Sequence, residues 1–217
     1  GCAQTSDPRT NACGNIYSYA LKDLRTYSAW RSSDRVAPHN EYVSPISIWD
    51  YSKTLGWANM PENTPTLAFK RDAAKDQRGS KTHVKATFRT DLPNGGLYDS
   101  EWTYDGTSNS YLHRIGGQAD LDLESGKQVT AKVVIVEEVP MVSAGDAFGR
   151  VIITTTGEGK AFILQDGKIT QATWKKPSRT DRTKYYDSKG NEIEINRGRM
   201  WIMAVPRTIG KFDIIEQ

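Results

Sequence analysis

The order of apolar and polar positions changes character near residue 83. From His83 to Thr90 apolar side chains fall on alternate positions, with Val84, Ala86 and Phe88 on one side, the period of a half-buried strand. Ser100–Tyr104 and Ser110–Ile115 flank Asp105-Gly106-Thr107-Ser108-Asn109, a hairpin connection. Val129–Val139 is a long β-branched run, as expected of a central strand buried on both faces. Val151–Thr156, Lys160–Leu164 and Lys168–Trp174 follow, punctuated by Gly157-Glu158-Gly159 and by Asp166-Gly167, a strong two-residue hairpin signal. Tyr185-Tyr186, Glu192–Ile195 and Met200–Val205 complete nine or ten strands, with turns at Asp187–Gly190 and Asn196–Gly198. Short strands with turn residues roughly every 8–12 positions predict an antiparallel sheet folding on itself, as a sandwich or a partly closed barrel.

Helical signals are confined to residues 15–57. Ile16, Tyr19, Ala20 and Leu24 recur at helical spacing after Asn15, a candidate N-cap. Ser44-Pro45 supplies an N-cap followed by proline at the first helical position, and Gly56 stands where a helix-ending glycine belongs. Residues 58–82 read as a loop with Pro61, Pro65 and a charged run from Lys70 to Lys81; only Thr66–Phe69 resembles a strand. The expected fold is therefore mainly β (α+β overall), with a short two-helix N-terminal lead-in through residue 82 and an antiparallel β domain over 83–217.

Composition narrows the function classes. At 217 residues the chain can bury a core as one large domain or two small ones, and 10 Tyr with 6 Trp argue against disorder. No run of about 18 apolar residues reads as a membrane-spanning helix. The net charge of +3 excludes a polycation, and nucleic acid is not an expected partner. That charge is unevenly placed. Trp174–Lys184 holds five basic residues and one acid, a net of +4, which leaves −1 on the rest of the chain.

Familiar catalytic and cofactor motifs fail on inspection. Gly126-Lys127, Gly159-Lys160 and Gly167-Lys168 lack both the earlier glycine and the following Ser or Thr of a phosphate loop. Asp120–Gly126 resembles a calcium loop, but its glycine comes one place late and no glutamate closes it. There is no Gly-x-Ser-x-Gly elbow and no His-Glu-x-x-His helix, and His39, His83 and His113 lie on different elements. Glu137-Glu138 could form an acid pair, although such pairs are more often structural. No metal, cofactor or catalytic residue is assigned.

Two constellations could bind a ligand. In the first, Lys175, Lys176, Arg179, Arg182 and Lys184 are interleaved with Ser178, Thr180 and Thr183 between Trp174 and Tyr185-Tyr186. Guanidinium forks and hydroxyls beside aromatic faces suit a carboxylate- or phosphate-bearing polymer. The plainer alternative is a solvated connection whose rings pack in the core. In the second, Asp34, Arg35, His39 and Asn40 cluster in a short loop, where His39 and Asn40 could bind an anion or simply tie the loop down.

These residues carry a family resemblance. Trp174–Thr180, Thr183–Ile193 and Asn196–Ile202 resemble the C-terminal domain of the YerB-like lipoproteins (domain of unknown function 3048), and Lys127–Ile135 is similar to its central strand. Arg31–Ser44 resembles the closing part of the family's N-terminal domain. The resemblance implies that residues 1–82 are a remnant of that N-terminal domain. It further implies an extracytoplasmic, envelope-associated protein held to the membrane by a lipid anchor upstream of this chain. Cys2 and Cys13 would be a disulfide in such an oxidising compartment and two free thiols in the cytosol. The expected function is a non-enzymatic module binding an anionic wall polymer or an envelope protein through Trp174, Lys175, Arg179, Thr180, Arg182 and Tyr185, with Arg35, His39 and Asn40 as further contacts. The alternative is a hydrolase of wall polymers using His39 with Glu137 or Asp34.

Overall fold

The computed structural model describes residues 29–37, 40–54, 56, 66–93, 95–147 and 149–216. The chain divides into two compact units, Gly1–Thr64 and Pro65–Gln217. In the first, strands β1 (Ala29–Arg31) and β2 (Glu41–Val43) form an antiparallel hairpin, with Trp30 stacked on its cross-strand partner Tyr42 at 5.9 Å. Helix α1 (Pro45–Thr54) follows. Its start is the expected one: the Ser47 amide donates to Ser44 Oγ, and Pro45 occupies the position where a missing N–H costs nothing. The expected helix after Asn15 and both cysteines lie outside the described residues.

The second unit contains, in chain order, β3 (Phe69–Lys70), β4 (His83–Thr87), β5 (Ser100–Asp105), β6 (Ser110–Ile115), β7 (Gln118–Ala119), β8 (Thr130–Ala131), β9 (Val133–Val139), β10 (Met141–Ser143), β11 (Val151–Ile153), β12 (Gly157–Gln165), β13 (Lys168–Lys176), β14 (Lys184–Tyr186), β15 (Ile195–Asn196), β16 (Met200–Pro206) and β17 (Lys211–Glu216). A five-stranded sheet has the order β14-β13-β12-β9-β16, antiparallel except for the parallel pair β9–β16. A six-stranded sheet has the order β17-β4-β5-β6-β7, with β8 also paired to β6. The fold is thus mostly β, largely antiparallel, and none of the sheets closes into a barrel. Among the described residues α1 is the single α-helix.

The β-branched run 129–139 shows how the two sheets are coupled. Its first part, β8, pairs with β6 of the larger sheet; after Lys132, β9 crosses into the smaller one. Val134 and Val136 then join Phe162, Leu164, Met203 and Val205 against Val84, Ala86, Trp102, Tyr104 and Tyr111 of the opposing sheet. Val133, Ile135 and Val139 point the other way, with Ala161, Ile163, Ala172, Trp174 and Tyr185, under Leu67 and Ile195. Period-2 alternation therefore feeds two cores from one strand, as the apolar run required. Two expectations are corrected. Gly157-Glu158-Gly159 is not a turn but the opening of β12, and β17, absent from the expected strands, forms an edge of the larger sheet.

The turn Asp166-Gly167 between β12 and β13 does more than reverse the chain. Both residues have positive φ, 53° and 67°, which Asp and Gly tolerate. The Asp166 carboxylate is 5% exposed. It accepts from Lys70 Nζ at 2.6 Å, Asn109 Nδ2 at 3.0 Å, Asn196 Nδ2 at 2.7 Å and the Ala73 amide at 3.1 Å. Four donors from three separate chain segments converge on one side chain. Burial alone would raise its pKa, but these donors outweigh burial and hold it down at about 2.

Removing the carboxylate strands Lys70 and two buried amides, so Asp166→Ala should cost on the order of 3 kcal/mol by chemical denaturation. A depressed carboxyl contributes stability above its unfolded value of about 3.9 and loses it as pH falls toward the folded value. The wild type should therefore lose this contribution between about pH 4 and pH 2, whereas Asp166→Asn should lack that part of the acid dependence.

Candidate binding surface

The basic segment is built on the edge of the five-stranded sheet. Strand β13 pairs with the edge strand β14 in the register Thr173↔Tyr186, Trp174↔Tyr185 and Lys175↔Lys184. Cross-strand partners share a face, so Trp174 and Tyr185 point one way, and the Thr173–Tyr186 and Lys175–Lys184 pairs point the other. Trp174 and Tyr185 are 1% and 2% exposed and belong to the second core. Trp174 Nε1 donates to the Glu138 carbonyl at 3.1 Å, and the Tyr185 hydroxyl to Glu137 Oε1 at 2.7 Å. Both residues, expected as stacking rings for a ligand, are inside the protein. The ring that faces the surface is Tyr186, one residue later, with Lys175 Nζ 5.8 Å from its centroid.

Gly159 lies opposite Trp174 in the β12–β13 register. A Cβ there would stand 2.6 Å from the Trp174 indole nitrogen and 2.8 Å from the Glu138 carbonyl oxygen. Glycine is what lets the indole cross β12 and reach its acceptor. Beneath it, Glu137 is buried and its pKa is raised by that burial, with the Tyr185 hydrogen bond and the Lys176 charge pulling against it. This carboxylate is a core acceptor for Tyr185. His39 lies outside the described residues.

The exposed residues give the surface its character. Lys175 Nζ is 3.1 Å from Glu158 and Lys184 Nζ is 2.7 Å from Glu192, so two of the five cations are already paired. Lys176 donates to the Asp181 carbonyl, and Ser178 and Thr180 bond each other across the connection at 3.1 Å. Arg179, Thr180 and Arg182 are exposed, and neither arginine forms an ion pair with any described residue. On the strands they connect lies an open groove of about 630 Å³, lined by Glu158, Thr173, Lys175, Tyr186, Asp187, Ser188 and Gly190. Its far wall is a preformed turn: Asp187 Oδ1 accepts the amides of Lys189 and Asn191.

The residues expected near His39 belong to the first unit. Arg35 is exposed. Asn40 is buried and ties its loop together, accepting from Arg31 Nη1 at 2.8 Å and donating to the Ser32 carbonyl at 2.8 Å. Asp34 accepts from the Ser32 hydroxyl. Asn40 thus serves the structural role that a loop asparagine commonly has.

One constellation has no local sequence motif. Ser100 Oγ is 2.8 Å from His113 Nε2, and His113 Nδ1 is 2.7 Å from Asp120 Oδ2. A proton on Nδ1 facing Asp120 leaves Nε2 to accept from the serine hydroxyl, the order of a Ser-His-Asp relay. The register Trp102↔His113 across the β5–β6 hairpin brings them together, so no local motif announces it. Ser100 is only 4% exposed, His113 2% exposed, and Ser100 Oγ already accepts Trp102 Nε1 at 3.0 Å. His113 stacks on Trp102 at 4.3 Å and meets Trp201 at 4.8 Å. The hydrogen-bond chain runs from an enclosed hydroxyl to Asp120, whose side chain is partly exposed. The other suspected ligand loop is self-contained: Asp122 Oδ1 accepts the amide and hydroxyl of Ser125.

Residues 91–202, just over half of the chain, match the family model described as the C-terminal domain of a protein of unknown function, DUF3048. The chain belongs to the DUF3048 family. The matched region carries both the basic edge and the buried relay. The crystal structure of the YerB protein from Bacillus subtilis has the same fold, with a TM-score of 0.70 at 22% identity. The match covers 88% of this DUF3048 chain and 61% of that chain, so this chain spans about three-fifths of the length of the YerB structure. No curated protein matches the sequence.

Three outcomes follow from these side chains. Gly159→Ala should destabilise by about 1–3 kcal/mol through overpacking against Trp174, read by urea denaturation. Glu137 has a raised folded pKa, so its contribution is fully present below the unfolded carboxylate value and is lost as pH rises through the folded one. Stability curves of the wild type and Glu137→Gln should therefore diverge on acidification, the wild type gaining relative to the glutamine variant. Ser100→Ala should cost about 1–3 kcal/mol by leaving the Trp102 and His113 nitrogens without their partner. The wild type should also resist labelling by a fluorophosphonate; stoichiometric labelling of Ser100 would show that the relay is open after all.

Proposed function

We propose that this chain is a non-enzymatic binding module of the bacterial cell envelope, whose ligand is an anionic wall polymer. One observation carries the reading: Arg179 and Arg182 stand exposed on the β13–β14 connection, unpaired with any described residue, and the two strands it joins present Lys175 and Tyr186 to a groove. Guanidinium groups without an internal partner keep all their donors for phosphate or carboxylate oxygens. The edge position of β14 leaves room for an extended polymer along the connection. Lys175 can exchange Glu158 for a ligand at small cost, because an exposed ion pair contributes little. Thr180 offers a hydroxyl on the same connection, while Trp174 and Tyr185 hold the strand pair in place from beneath. Extracytoplasmic location and a lipid anchor upstream rest on the family resemblance to envelope lipoproteins.

Binding of a poly(glycerol phosphate) probe, followed by fluorescence anisotropy, tests the reading. The variant Lys175→Ala/Arg179→Ala/Arg182→Ala should weaken it by about tenfold, since removing three partly exposed contacts costs roughly 1–2 kcal/mol in all. The wild-type affinity should fall steeply with added salt and that of the variant less so. Equal affinity of wild type and variant would overturn the proposal.

A further inference from the structure

A second basic concavity lies at the opposite end of the β12–β13 hairpin. It is an open pocket of about 380 Å³, lined by Lys75, Arg78, Gly79, Ser80, Tyr104, Gly106 and Thr107. Two cations and two hydroxyls converge there, and neither cation forms an ion pair with any described residue. Of the nearby carboxylates, Asp76, next to Lys75 in the chain, is exposed, and the other three are committed elsewhere. Asp105 accepts from the amides of Thr107 and Ser108 and from the Ser108 hydroxyl, Asp72 pairs with Lys132 at 2.8 Å, and Asp166 is buried among Lys70, Asn109 and Asn196.

The pocket is rigid where it needs to be. Arg78 Nε donates to the Ala73 carbonyl at 2.9 Å, which holds the guanidinium plane and leaves its terminal nitrogens uncommitted. The Gly79 amide donates to the Asp166 carbonyl at 2.9 Å, and a Cβ on Gly79 would fall 1.8 Å from the Gly167 oxygen. The backbone here is pressed directly onto the hairpin turn. Tyr104 supplies a fixed wall, its hydroxyl donating to Asn109 at 2.8 Å. Burial raises the pKa of that phenol, and the Arg78 charge acts against the rise.

We propose that this pocket is an oxyanion site, taking a phosphate or carboxylate group between Arg78 and Lys75 with Ser80 and Thr107 as neutral donors. A held guanidinium fork, a second cation and two hydroxyls supply the donors that a phosphate or carboxylate accepts. The site is separate from the basic edge. Gly167 at the turn and Lys175 at the open end stand eight residues apart on one strand, about 26 Å at the rise of a β-strand. A small anion therefore cannot touch both.

Titration of the 217-residue chain with sodium phosphate, and separately with sodium acetate, at low ionic strength is followed by amide NMR. Saturable shifts centred on Gly79, Ser80, Gly106 and Thr107 in the millimolar range are expected. Saturation by phosphate alone identifies a phosphate-bearing ligand, by acetate alone a carboxylate-bearing one. Arg78→Ala should weaken the interaction at least tenfold, Arg78→Lys should restore only part of it, and Lys75→Ala should weaken it several-fold. Lys75→Ala keeps the test sound if Arg78→Ala perturbs the fold, because the Lys75 side chain makes no hydrogen bond to a described residue and its carbonyl, which accepts the Arg78 amide, is kept. The variant Lys175→Ala/Arg179→Ala/Arg182→Ala should bind phosphate as the wild type does, so failure here and failure at the basic edge are told apart. Absence of saturable shifts with either anion, or shifts that survive both Arg78→Ala and Lys75→Ala, overturns the proposal.

Discussion

A buried carboxylate in a two-residue turn holds the second unit together. Asp166 sits where the β12–β13 hairpin reverses, and its oxygens collect donors from the segment around Lys70 and Ala73, from the β5–β6 hairpin through Asn109 and from β15 through Asn196. The β5–β6 hairpin is also fixed by its own sheet and core, and Leu67 and Ile195 anchor their segments in the second core. β3 and β15 are two residues each, too short to be stable through their own ladder. An ionised group is costly to bury unless its hydrogen bonds are complete, and completeness here requires all the segments to arrive together. The polar hub thus makes the placement of residues 66–82 cooperative with the folding of the sheets. It is also tied to the pocket lined by Arg78 and Lys75, through the Gly79 amide on the Asp166 carbonyl.

Around that hub, strand parity sorts the chemistry. Strand β9 is apolar on both sides because each side faces a core, one between the two sheets and one beneath Leu67 and Ile195. On β13 the same alternation sends Ala172 and Trp174 inward and Thr173 and Lys175 outward. Tyr185 and Tyr186, identical in type and adjacent in sequence, end in opposite environments for this reason alone. One donates to a buried glutamate; the other lines a groove under a lysine. The surface offered to a ligand is accordingly cationic with a single ring, rather than an aromatic platform.

Polar groups inside the cores follow the rule that burial demands partners. Glu137 has Tyr185, the Trp174 indole has the Glu138 carbonyl, and Ser100, His113, Asp120 and Trp102 satisfy one another. The last group has the connectivity of a hydrolytic relay but serves packing, because its hydroxyl is enclosed and already accepts a hydrogen bond. Connectivity alone does not make a nucleophile; access and an unoccupied approach are also required.

Much of this was legible in the residues alone because it is local physics. Alternating side chains announce strands, Asp166-Gly167 and Asp187–Gly190 announce turns through the backbone angles they tolerate, Ser44-Pro45 announces the start of α1, and the clustering of cations in 174–184 needs only counting. The double burial of Val133–Val139 was readable for the same reason. What only the tertiary structure decided depends on partners far away in sequence. The run 129–139 is divided between two sheets at Lys132, Gly157–Gly159 is a strand because Trp174 lies across it, and the Ser100–His113–Asp120 circuit exists only in the β5–β6 register. Which of two neighbouring tyrosines faces water is likewise a matter of register. The sequence determines that a strand has two faces; the packing of the sheet determines which face meets solvent.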